Sequence, residues 1–111
     1  MIGKSVLFAG LLTAWCGGVQ AQQSAARGNE VFANWCAPCH APGARHPGTQ
    51  ALEALYKGAK PAALEQRADL LPELTRAFVR TGVSVMPPFR KTEISDSDLE
   101  ALAAYLAPKT Q

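Results

Sequence analysis

Apolar residues recur at helical spacing in separate stretches along the chain. From about Ala25 to Trp35, Gly28, Val31, Phe32 and Trp35 fall at i, i+3, i+4 and i+7, which marks one face of a helix. Gly28 costs such a helix about 1 kcal/mol against alanine. A close approach by another backbone or ring would explain that cost; a glycine near a frayed end is the alternative. Ala41 to Gly48 carries Pro42, Gly43, Pro47 and Gly48 and reads as a loop. Ala51, Leu52, Leu55 and Tyr56 predict a short helix ended by Gly58. Lys57 to Ala68 shows no strong face, although Pro61 can open a helical turn and Leu64 can pack inward. Leu70, Leu71, Leu74, Ala77 and Phe78 form an apolar face, with Pro72 at its start and Gly82 at its stop. A helix from about Pro72 to Thr81 follows. Pro87 and Pro88 forbid helix and favour an extended segment around them. Ser95 caps a last helix, with Asp98 where a capping box carries its acid. Leu99, Leu102, Ala103 and Leu106 give its buried stripe and Pro108 its end.

The first 21 residues read as a segment apart. Lys4 is followed by a short apolar run, Val6 to Leu12, and Val19-Gln20-Ala21 suits a cleavage site. This is the pattern of a secretory signal peptide. The apolar run falls well short of the ~20 residues that span a bilayer. Cys16 raises a lipoprotein alternative, which the bulk of Trp15 just before it disfavours. The expected mature domain is Gln22–Gln111, and the expected compartment is the periplasm. The whole chain has 111 residues, with 11 Lys and Arg against 9 Asp and Glu. Without Lys4 the balance is 10 against 9, with charges scattered rather than blocked. Nothing in that balance suggests a nucleic-acid surface. After residue 21 the strand-forming aliphatics are only Val31, Val79, Val83, Val85 and Ile94. The fold class expected is all-α.

Composition says less about chemistry than one hexapeptide, Trp35-Cys36-Ala37-Pro38-Cys39-His40. Two cysteines three apart, followed at once by histidine, mark covalent haem attachment. On one helical turn both thiols share a face and can add to the two vinyl groups of a single haem c. His40 can then put an imidazole nitrogen on the iron. Trp-Cys-x-Pro-Cys is also a dithiol redox motif, in which a depressed thiol pKa makes a nucleophile. That reading needs βαβ units, which are hard to find here. A zinc site needs four ligands, and Cys36, Cys39, His40 and His46 all lie in one short run. Met86, held before two prolines, is the only methionine besides Met1. It is the candidate sixth ligand, its thioether suiting iron opposite histidine. His46 lies too close in sequence to His40 to reach the other haem face and reads as a surface residue. The carbonyl of Pro47 is the expected acceptor for the second ring nitrogen of His40.

With these residues the chain resembles a small class I cytochrome c over essentially its whole mature length. In that family an N-terminal helix with Gly and an aromatic four apart crosses a C-terminal helix with an aliphatic and an aromatic three apart. Gly28 and Phe32, with Leu102 and Tyr105, fit both spacings. The resemblance gives Gly28 its reason, since without a side chain it lets the two helices touch. It implies electron transfer rather than enzymatic catalysis, with Cys36, Cys39, His40 and Met86 holding the haem. More narrowly, Ala51 to Leu71 and Met86 to Leu106 resemble the cytochrome subunit of p-cresol methylhydroxylase and related alkylphenol-oxidising flavocytochromes. That implies a flavoprotein partner as electron donor and a downstream acceptor. A free-standing shuttle to a terminal oxidase is the alternative. A haem enzyme with an open sixth site and a thioredoxin-like dithiol protein are the readings from other classes.

Overall fold

The computed structural model describes residues 17–109. Residues 1–16 of the expected leader lie outside that range, and residues 17–21 form the start of the first helix. Five α-helices follow in order: α1 (Gly17–Val31), α2 (Ala37–His40), α3 (Pro47–Tyr56), α4 (Pro72–Thr81) and α5 (Asp96–Leu106). A π-helical turn, Phe32–Cys36, joins α1 to α2, and a 3₁₀ turn, Leu64–Gln66, lies between α3 and α4. Among the described residues β-pairing is limited to one isolated bridge between Val83 and Met86. The all-α fold expected from the sequence is the one observed.

The core forms where α1 crosses α5 and α4 packs on α5. Val31, Phe32, Leu70, Val79, Ile94, Leu99, Leu102 and Leu106 are its buried side chains. A Cβ placed on Gly28 would lie 2.3 Å from the Ala101 carbonyl oxygen and 2.5 Å from the Tyr105 Cβ. The glycine therefore sits at the crossing and not at a frayed end, and α1 extends well before it. Phe32 packs on Tyr105 with ring centroids 6.1 Å apart. The Tyr105 hydroxyl donates to Glu65. That hydrogen bond, helped by burial, pushes the phenol up to about 12.

α5 begins as the sequence predicts. The Ser95 hydroxyl accepts from the Asp98 backbone N–H at 3.1 Å, satisfying one of the orphan donors of the first turn. The Asp98 carboxylate makes no reciprocal cap. Arg27 takes it instead, at 2.7 and 2.8 Å, and so ties α1 to the start of α5.

Other elements differ from expectation. α3 starts at Pro47, within the stretch read as loop. Pro47 serves as a first-turn residue, where its missing N–H costs nothing. α3 ends at Tyr56 with Lys57 in the left-handed region, φ 50°, just before Gly58. α4 has the predicted bounds but buries Thr75 and Val79, while Leu71 and Phe78 are exposed. Gly82 to Phe89 is not simply extended. Val83 and Met86 exchange backbone hydrogen bonds at 3.1 and 2.9 Å around Ser84 and Val85, closing a tight turn. Residues Pro87 to Arg90 take no regular secondary structure.

Candidate functional site

The π-helical turn decides which motif residue faces inward. The Ala37 N–H reaches back five residues to the Phe32 carbonyl. A π turn advances less per residue than an α turn, and such bulges cluster at functional sites. The slower advance swings Trp35 off the face shared by Gly28, Val31 and Phe32 and brings Cys36 onto it. Cys36 is accordingly 8 % exposed and Trp35 42 %. Trp35 was expected on the buried face; it instead packs edge-on against Phe89, ring centroids 5.9 Å apart.

α3 clamps the chain that follows the motif. His46 Nδ1 lies 3.1 Å from the Pro38 carbonyl oxygen. The buried Thr49 hydroxyl donates to the Ala41 carbonyl at 2.8 Å, and the Gln50 amide donates to the Ala44 carbonyl. His46 is therefore half-buried and bound to the attachment turn. Gly48 faces the His40 ring. A Cβ there would lie 2.7 Å from the Cys39 carbonyl oxygen and 2.7 Å from His40 Cε1. The expected acceptor for His40 is not used: its Nδ1 is buried and has no hydrogen-bond partner.

A cavity of about 760 Å³ opens beside these residues, within the ~300–1,000 Å³ usual for cofactor sites. Cys36, Cys39 and His40 line it, and so does Met86 from the turn after α4. Leu52, Leu70, Phe78, Val79, Leu102 and Leu106 add apolar wall. This explains the exposure of Phe78, which faces a cavity and not the core. Tyr56 and Arg67 are polar members of the lining. The Arg67 guanidinium donates to the Tyr56 hydroxyl at 2.8 Å and pairs with Asp69 at 2.7 and 2.9 Å. Gly82, at φ 68°, has space for no Cβ, since one would lie 2.6 Å from the Met86 carbonyl oxygen.

The electrostatics separate the competing chemistries. Burial, with a smaller contribution from Cys39, pushes the Cys36 thiol up to about 12. A dithiol nucleophile needs the opposite shift. Burial also lowers the His40 pKa, keeping the imidazole neutral and able to bind metal. Among the described residues no three His, Cys, Asp or Glu side chains gather as a metal cluster, so the zinc reading has no site.

A family model described as cytochrome C oxidase, cbb3-type, subunit III matches residues 23–106. The chain belongs to this family of c-type cytochrome domains. It is a class I cytochrome by fold, and haem-based electron transfer is its role. No curated protein and no solved structure matches the chain. The cavity of this cytochrome fits haem. Its walls are apolar, and two thiols and an imidazole, the donor set that covalent haem attachment needs, line it together; the buried Nδ1 of that imidazole is turned to Gly48 of α3 and leaves the other ring nitrogen for the metal. Among the described residues no helix is long and apolar enough to cross a membrane.

Sequence reasoning missed two contributors to the site. Arg67 lies in a stretch without a clear face, Tyr56 counts only as part of a short helix, and only the fold brings both to the cavity. Phe89 also lines the cavity and is half-buried against Trp35 and the core. No sequence signal would have found these pairings, because each joins residues far apart along the chain.

Proposed function

We propose that the protein is an exported one-electron carrier whose single haem c is anchored through Cys36 and Cys39 and ligated by His40 and Met86. The observation that supports this is the convergence of all four side chains on one apolar cavity. Bound there, the haem supplies a one-electron couple; the protein tunes it and limits reorganisation. Cys36 and Cys39 hold the group through thioethers. Gly48 lets the His40 ring stand close to the backbone of α3, and the neutral imidazole is ready to coordinate. The Val83–Met86 turn and the two prolines hold the methionine at the cavity. Tyr56 and Arg67 offer hydrogen-bond donors to the carboxylate groups of the haem. The apolar walls exclude water, so charge on the iron is felt in a medium of low dielectric. Were His40 and Met86 both to hold the iron, they would leave no place on it for a substrate. Histidine–methionine ligation raises the potential relative to other ligand sets, which suits electron uptake from a reduced flavin.

The donor in this reading is a flavoprotein of the phenol-oxidising type, on the resemblance carried by Ala51 to Leu71 and Met86 to Leu106. The family's description as an oxidase subunit favours a terminal oxidase as the downstream acceptor. Residues 1–21 serve as the leader that exports the chain to the periplasm. Spectroscopy tests the ligand set. The oxidised wild type should show the weak far-red band of a methionine–iron bond, and Met86→Ala should lose it. Identical spectra would overturn the assignment of Met86 and favour an open-site haem protein. A flavin-containing chain co-purifying from the native source would support the donor; reduction only by unrelated donors would remove it.

A further inference from the structure

Met86 rides on a loop that is closed twice. The inner closure is the reciprocal pair between Val83 and Met86, at 3.1 and 2.9 Å. The outer closure is at the neck, where the Phe89 N–H donates to the Val79 carbonyl at 2.7 Å. Arg80, the next residue on α4, completes that neck. Its Nη1 donates to the Phe89 carbonyl at 3.1 Å and to the Ile94 carbonyl at 2.9 Å, and its Nη2 donates to Asp96 Oδ1 at 2.9 Å. One guanidinium thus grips both ends of the 89–94 turn and the first residue of α5. Its side chain is only 23 % exposed. A planar fork with five donors suits this task, and a single ammonium group does not. Arg80 does not line the cavity, so contact with the haem does not explain its position.

We infer that Arg80 is a positioning residue for Met86: by locking the neck of the loop it keeps the thioether at the cavity and suppresses ligand exchange at the sixth position. This rests on the reading of Met86 as a ligand. The physical link is local opening. An external ligand binds iron only when the loop has swung away, and its apparent affinity scales with the open fraction. Charge-assisted hydrogen bonds at the neck are among the stronger ones available, so their loss raises that fraction.

The test uses the haem-loaded oxidised protein titrated with imidazole, following loss of the methionine–iron band. Arg80→Gln is expected to bind imidazole about tenfold or more tightly than wild type, the factor that loss of one charge-assisted bond gives. Arg80→Lys keeps a cation for Asp96 but not the double grip on the carbonyls, and should fall between. Arg76→Gln is the control. Arg76 joins the same two helices through Glu100, at 2.7 and 2.8 Å, without touching the 89–94 turn. Its imidazole affinity should stay at the wild-type value. Wild-type affinity in both Arg80 variants would overturn the inference, and so would an equal rise in Arg76→Gln. If Arg80→Gln fails to load haem, Arg80→Lys and Asp96→Asn decide by the same readout. A wild type without the band would sink the Met86 assignment and this inference together. A normal band with unmoved Arg80 affinities sinks this inference alone.

Discussion

Single atoms set the tolerances of this fold, and Gly28 shows it most sharply. Helix propensity alone would favour alanine there by about 1 kcal/mol. The Cβ, however, would stand 2.3 Å from a backbone oxygen of α5, and backbone at a helix crossing cannot turn aside as a flexible side chain can. Overpacking of this kind costs roughly 1–3 kcal/mol, so the clash outweighs the propensity. Gly28→Ala should therefore lower the thermal midpoint of the haem-loaded protein, measured by circular dichroism. An unchanged or raised midpoint would mean that the two helices separate at little cost. The same logic makes Gly48 a residue of the site itself, because its missing side chain is what admits the His40 ring.

At the scale of elements, the α1–α5 crossing carries a pH signature. Asp98 lies on the first turn of α5, and Arg27 reaches it from α1 with two short hydrogen bonds. Those bonds hold the carboxyl below its ordinary value of 3.8. A group depressed in the folded state contributes stability above its unfolded pKa, and that stability is lost as pH falls through the folded value. Acid unfolding below about pH 4 should therefore be partly relieved of its pH dependence in Asp98→Asn, which is less stable at neutral pH and flatter in acid. Equal slopes for variant and wild type would show that the pair contributes nothing. The ion pair is partly exposed, so the effect belongs to the modest class of surface bridges. Ser95, the cap on the same turn, is untouched by this substitution.

The whole molecule is organised around its cavity more than around a closed core. A sealed void of about 760 Å³, at ~24 cal/mol per Å³, would cost more than the ~5–15 kcal/mol by which small proteins are stable. This cavity is open, so without its group the cost is instead a wide apolar wall left in water. Haem therefore counts as part of the folded core. Cys36→Ala or Cys39→Ala should weaken or abolish haem retention, and His40→Ala should yield little folded protein. Far-UV circular dichroism of chain produced without haem checks this: low helicity is expected, and a cooperatively folded, fully helical apoprotein would refute it.

Much of this was legible along the chain, because the signals are local. The Cys36–Cys39–His40 spacing, Met86 before two prolines, the Ser95 cap and the bounds of α4 each depend on residues a few positions apart. The Gly28–Phe32 and Leu102–Tyr105 spacings, read through a family resemblance, even placed the helix crossing. What the sequence could not do was tell a core wall from a cavity wall, since both are apolar. Phe78 and Trp35 read as core for that reason, whereas Thr75 and Cys36 take the buried places. Ile94 stands in a polar run, yet it is among the most buried of the described residues. The π turn at Phe32–Cys36, the start of α3 at Pro47 and the grip of Arg80 on the 89–94 turn were likewise decided only in three dimensions. Each depends on partners brought together by the crossing of α1, α4 and α5, and periodicity along one segment carries no information about what stands opposite it.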